Sequence, residues 1–167
     1  MIGSGNVGAT NASRVAGVWG GIAVFLLDAA KGLIAVLVIA PWLVQPISPA
    51  ARLACGLAAV IGHMAPVFLK FQGGKGVSTT IGVLFGTSPP IAAICLVVLL
   101  TCLGIWRYMS VGAMAAAVLL PLLQCATHRA AQEVLLGAAL SLLIIIRHRA
   151  NIERLLQGTE HRIGLRK

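Results

Sequence analysis

This sequence has little charge. Only 10% of its 167 residues are charged, and only four of those are acidic, against about 25% charged in ordinary soluble domains. With 59% hydrophobic residues and a mean hydropathy of +0.96, the chain cannot fold with its surface in water. That excludes a soluble domain and predicts an integral membrane protein. Cysteine is scarce and scattered: Cys55, Cys95, Cys102 and Cys125 form no CxxC pair and lie in apolar stretches. They read as small packing residues and not as metal or redox groups. His63 and His128 lack metal-like neighbours, so no zinc or iron site is expected. The chain opens on a polar loop and not on an apolar run, which argues against a cleavable signal peptide. It has no low-complexity linker and no self-similarity at a period of roughly 20–50 residues, so a single domain over residues 1–167 is expected.

What is present is a series of apolar segments, at about 15–44, 51–69, 77–88, 90–105, 111–126 and 131–146. They predict an all-α fold, a polytopic transmembrane helical bundle of about six spans. The third segment makes only roughly 18 Å of helix, short for a crossing. Asp28 and Lys31 stand three apart in the first segment, hence on one helix face, and predict an ion pair turned to the bundle interior. With the chain's start taken as cytoplasmic and the segments alternating, one side holds Arg14, Lys70, Lys75, Arg107, Arg147, Arg149, Arg154, Arg162, Arg166 and Lys167; the other holds Arg52 and Arg129. This bias puts both termini and the polar loops in the cytoplasm. The net charge of +9 is then explained by topology and anionic headgroups, and no nucleic-acid partner is needed. Residues 147–167 form a basic tail in which Ile152, Leu155 and Leu156 recur at helical spacing, suited to lying on the membrane surface.

Two polar, glycine-rich loops border these segments. Residues 3–14 read GSGNVGATNASR. Gly3, Gly5 and Gly8 open the backbone, Ser4, Asn6, Thr10 and Asn11 supply side-chain donors, and Arg14 adds a guanidinium fork suited to phosphate. Residues 73–79 read GGKGVST, where Gly73, Gly74 and Gly76 surround Lys75. Glycines let successive amides point the same way, which makes a concave anion site, for phosphate above all. The nucleotide-binding P-loop is excluded, because Gly76 follows Lys75 where that motif needs Ser or Thr. Both loops on one face predict a phosphorylated substrate handled at the bilayer surface. Arg107 and Ser110 sit at a short turn, and His148 and Asn151 share a helix face at the start of the tail. Glu153 lies five residues after His148, about 140° round the helix, which argues against a catalytic dyad. A transporter of a phosphorylated solute, or a lipid-binding subunit, is the competing reading; transporters more often show repeated halves and midplane sites.

The motifs GSGNVGATN-x2-R, D-x2-KG, GH-x2-PVF-x2-F-x-GGKGV-x-T, RY-x-S and RHRANI occur in this order over nearly the whole chain. Together they resemble the bacterial acyl-phosphate-dependent glycerol-3-phosphate acyltransferases of the PlsY type. The resemblance implies transfer of a fatty acyl group from acyl phosphate to the 1-hydroxyl of glycerol 3-phosphate, giving lysophosphatidic acid and phosphate without cofactor or coenzyme A. It implies a place in the bacterial inner membrane, among lipid, and an upstream acyl-phosphate-forming enzyme as partner. It implies catalytic roles for Ser4, Arg14, Lys75, His148 and Asn151. Substrate binding would fall to Gly5, Asn6, Gly8, Thr10, Asn11, Gly73, Gly74, Gly76, Arg107 and Ser110. The proton of the attacking hydroxyl would go either to His148, the best side-chain base, or to a phosphate oxygen of the donor. The family has a further span before GSGN, seven in all; here that motif begins at Gly3, so the sequence leads one to expect a chain lacking the first span.

Overall fold

A computed structural model describes residues 6–163. Ser4 and Gly5 lie outside the described residues, together with Gly3. Among the described residues every regular element is helical: α1 (Ala9–Ile34), a π-helical turn (Ala35–Ile39), α2 (Ala40–Leu43), α3 (Pro49–Met64), a 3-10 turn (Val67–Leu69), α4 (Val77–Thr87), α5 (Pro89–Trp106), α6 (Met109–Ala126), α7 (Ala131–Arg147) and α8 (Arg149–Leu156). All six expected apolar segments are therefore helices. Four stretches, Ala9–Leu43, Pro49–Leu69, Pro89–Trp106 and Met109–Ala126, are long and apolar enough to cross a membrane, and α7 with α8, bent by 55°, makes a fifth if counted as one span. Helix α4, apolar but only 11 residues long, is not among them. The helices cluster into two compact units, Met1–Pro89 and Pro90–Lys167.

In the first unit, α1 is not one rod. Ala16 (φ −113°, ψ 15°) and Gly17 (φ 72°, ψ −178°) leave the helical region, and Gly17 takes a conformation essentially reserved for glycine. The chain turns back there. A Cβ built on Gly21 would stand 3.2 Å from the Ala9 carbonyl oxygen, whereas residues 12 apart in a straight helix are separated by roughly 18 Å. The expected first segment, from about Val15 to Val44, is thus preceded by a short helical arm folded against its own foot. Farther along, Pro41 sits in α2. It has no N–H and its ring crowds the carbonyl four residues back; the widened turn at Ala35–Ile39 accommodates it.

Helix order in this unit follows from where glycines let backbones touch. Gly82 of α4 lies on the Ala29 carbonyl and Gly86 on Val36, so α4 runs parallel to α1. Gly56 of α3 lies near Val36 and His63 near Asp28, so α3 runs antiparallel. Small residues at such crossings replace the hydrophobic drive that lipid does not supply. In the second unit the same device recurs: Gly112 of α6 abuts the Leu99 backbone of α5, and Gly137 of α7 abuts the Gln124 side chain of α6.

Candidate functional site

The parallel and antiparallel order of the first unit brings its two loops to one end. The glycine loop connects the C-terminus of α3 to the N-terminus of α4, on the side of Asp28 toward the start of α1. The folded-back arm carries Ala9 to the level of Gly21, seven residues before Asp28 and so about 10 Å from it along the helix. Each loop ends in a helix N-terminus without a side-chain cap. Gly8 precedes α1, and Gly76, in the left-handed region at φ 81°, precedes α4. The first-turn amides of a helix, with its positive dipole end, favour a bound anion.

Side chains at this end are partly committed. The Gly8 N–H donates to Asn6 Oδ1 at 3.1 Å, which shapes the entry to α1 and takes up one acceptor of that carboxamide. Ser13 Oγ donates to the Thr10 carbonyl at 2.9 Å, and Arg14 is exposed. The second loop is more enclosed: Gly73, Gly74 and Gly76 are buried and Lys75 half-buried. The Gly73 N–H donates to the Met64 carbonyl at 3.2 Å and the Gly74 N–H to the His63 carbonyl at 3.1 Å. A polar triad lies directly beneath. Lys31 Nζ stands 2.6 Å from Asp28 Oδ1 and 2.8 Å from His63 Nδ1. The far ring nitrogen, Nε2, is the atom a Cβ at Gly74 would strike. The expected Asp28–Lys31 pair is thus present. The ammonium is half in solvent, its side chain 46% exposed against 11% for Asp28.

The second unit holds a separate polar cluster. Ser110 Oγ (3.2 Å) and Asn151 Nδ2 (2.8 Å) both donate to Glu160 Oε1, and Arg154 Nε donates to Glu160 Oε2 at 2.8 Å. Burial raises the Glu160 carboxyl, but the hydrogen bonds from Asn151 and Arg154, the arginine charge and the Ser110 bond outweigh it and hold it below the usual glutamate range. His148 is buried. Its Nδ1 meets the Ile144 carbonyl at 2.8 Å; a carbonyl only accepts, so that nitrogen carries the proton and Nε2 is the basic one. Arg107, at φ 61°, is exposed, and its carbonyl accepts the Ile163 N–H at 2.8 Å. Arg162 lies over the Tyr108 ring at 5.2 Å and donates to its hydroxyl at 3.0 Å.

Sequence reasoning singled out Ser110 and Asn151, and the structure joins them; it did not single out Glu160, the residue that joins them. Asp28, expected in an ion pair, and His63, expected to hold no metal, lie together beneath the glycine loop. Among the described residues no group of three or more His, Cys, Asp or Glu side chains is arranged to hold a metal.

The family model described as glycerol-3-phosphate acyltransferase matches residues 1–158. A glycerol-3-phosphate acyltransferase of Sinorhizobium fredii is 44% identical over 163 residues, covering 98% of this chain and 77% of that protein. One of Methylococcus capsulatus is 41% identical over 165 residues, covering 99% and 82%. Among solved structures, PlsY, an integral membrane glycerol 3-phosphate acyltransferase, is similar in two forms. Its glycerol 3-phosphate form matches with TM-score 0.86 at 40% identity, over 98% of this chain and 80% of that one. Its lysophosphatidic acid form matches with TM-score 0.88 at 41% identity, over 96% and 81%.

Proposed function

The chain belongs to the glycerol-3-phosphate acyltransferase family, and on that premise we propose that it transfers a fatty acyl group from acyl phosphate to the 1-hydroxyl of sn-glycerol 3-phosphate. The hydroxyl oxygen attacks the acyl carbon, the acyl–phosphate bond breaks, and lysophosphatidate and inorganic phosphate leave. One observation supports this above the others: two glycine-opened helix N-termini stand at one end of the first unit, each with a cation in its motif, Arg14 and Lys75. Two anionic reactants repel each other. Fixed amides and cations offset that repulsion and orient both partners before reaction, which is where such a catalyst gains most.

Phosphate is already a good leaving group, so no covalent enzyme intermediate is required. In this reading the Gly73–Gly76 loop takes glycerol 3-phosphate, while Thr10, Asn11, Arg14 and, beyond the described residues, Ser4 and Gly5 serve the donor. The hydroxyl proton passes to a donor phosphate oxygen. His148, buried and fixed through Nδ1, and Asn151, fixed on Glu160, orient polar groups. In this reading the motif loops face the cytoplasm of a bacterial inner membrane, an orientation that the bias of the basic residues supports.

The test is donor chemistry. Full-length protein in vesicles is given labelled glycerol 3-phosphate with either acyl phosphate or an acyl thioester. Labelled lysophosphatidate from acyl phosphate alone is the expected outcome. Product from the thioester alone, or entry of label into the vesicle lumen without acylation, refutes the assignment.

A further inference from the structure

The contacts beneath the glycine loop go beyond a structural ion pair. His63 lies in the last turn of α3, its side chain only 6% exposed, with Nδ1 3.4 Å from Asp28 Oδ1 and 2.8 Å from Lys31 Nζ. The opposite edge of the ring, at Nε2, Cε1 and Cδ2, fills the space where any side chain at Gly74 would project. The Gly74 N–H is bonded to the carbonyl of the same histidine at 3.1 Å, and the neighbouring Gly73 N–H to that of Met64 at 3.2 Å. The imidazole is therefore held by α1 on one side and supports the loop backbone on the other.

We propose that Asp28 and His63 are positioning residues for the anion-binding loop: the carboxylate fixes the imidazole, and the imidazole fixes where the Gly73–Gly74 backbone stands before the phosphate arrives. This rests on the assignment of that loop to glycerol 3-phosphate. The physical reason is preorganisation. The Gly73 and Gly74 amides are spent on the Met64 and His63 carbonyls; the amides that follow aim at an anion only while the backbone leading to them keeps one orientation, and glycine residues do not keep it by themselves. A rigid, buried ring behind the loop removes that freedom, and the ion-paired carboxylate removes the ring's own freedom to turn. Neither residue needs to touch the substrate.

Two readouts test this on the full-length protein in detergent or vesicles, with Asp28→Asn, His63→Gln, His63→Ala, Gly74→Ala and the His63→Ala/Gly74→Ala pair. The first is amide hydrogen exchange in the wild type and the Asp28 and His63 variants, which needs no substrate. Exchange at residues 73 and 74 should accelerate by on the order of tenfold, with the α4 interior unchanged. The second is steady-state kinetics across all five variants. KM for glycerol 3-phosphate should rise by on the order of tenfold, with kcat held within about twofold. Because the Gly74 methyl meets the imidazole, the double variant should be no worse than Gly74→Ala alone.

Unchanged loop exchange in Asp28→Asn and His63→Gln overturns the proposal, as does a fall in kcat with KM untouched. Should His63→Ala fail to fold, Asp28→Asn, which keeps the side-chain shape, decides. A wild type that does not acylate glycerol 3-phosphate refutes the enzyme assignment, and exchange at Gly73 and Gly74 still decides the positioning role.

Discussion

Glu160 shows how one side chain can organise a cluster that spacing does not reveal. Its carboxylate gathers Ser110, 50 positions earlier, with Asn151 and Arg154, and its side chain is 4% exposed. A buried carboxylate that loses its charge-assisted bonds leaves donors unpaired, at about 1–3 kcal/mol. Glu160→Gln should destabilise the protein by that order, measured by denaturant or thermal unfolding in detergent; an unchanged midpoint contradicts the geometry. The pH dependence follows in sign. The folded carboxyl lies below its unfolded value of about 4.3, so its stabilisation is present above that value and is lost as pH falls through the folded pKa. Wild type should therefore lose more stability than Glu160→Gln on acidification below about pH 4. Spacing could not find Glu160, because nothing local links it to a turn 50 residues away. The available signal was its sign: it is one of four acidic residues in a strongly basic chain.

Among the elements, α1 departs furthest from the sequence reading. Hydropathy averages over windows and does not see a reversal of the backbone; the run from Ala9 to Leu43 passes as one span, although its first arm, ATNASRVA at residues 9–16, is polar. The local sign was AGVWGG at residues 16–21, a glycine to turn on and two small positions to pack against. Gly17 has open space around it, so an added methyl meets no neighbour and its effect is confined to the backbone. Gly17→Ala should lose about 1–3 kcal/mol through the left-handed strain and free the Asn6–Val15 arm. Protease cleavage within residues 6–15 should rise while the α3–α4 loop stays as resistant as in wild type. Equal cleavage of both, or of neither, contradicts the hairpin. The starts of α3 and α4, by contrast, were legible within two residues, and Pro49 and Gly76 stand there with backbone chemistry suited to a helix start; the end of α3, at Met64 and not Leu69, was not.

For the molecule as a whole, composition settled the class and hydropathy the helices, since 59% hydrophobic residues leave few alternatives. The glycine and cation motifs were legible because anion binding uses local backbone geometry. The support behind them was not, since Asp28, His63 and Gly74 come from three separate stretches and meet only after α3 packs against α1. The central claim is that the glycine loop with Lys75 holds the phosphate of glycerol 3-phosphate. Its most direct test is the KM for glycerol 3-phosphate of Lys75→Gln in vesicles, with acyl phosphate saturating. Loss of one charge-assisted contact, worth about 1.5–3 kcal/mol, predicts a KM raised by roughly 10- to 100-fold with the KM for acyl phosphate little changed. An unchanged KM for glycerol 3-phosphate, or a defect confined to acyl phosphate, contradicts it.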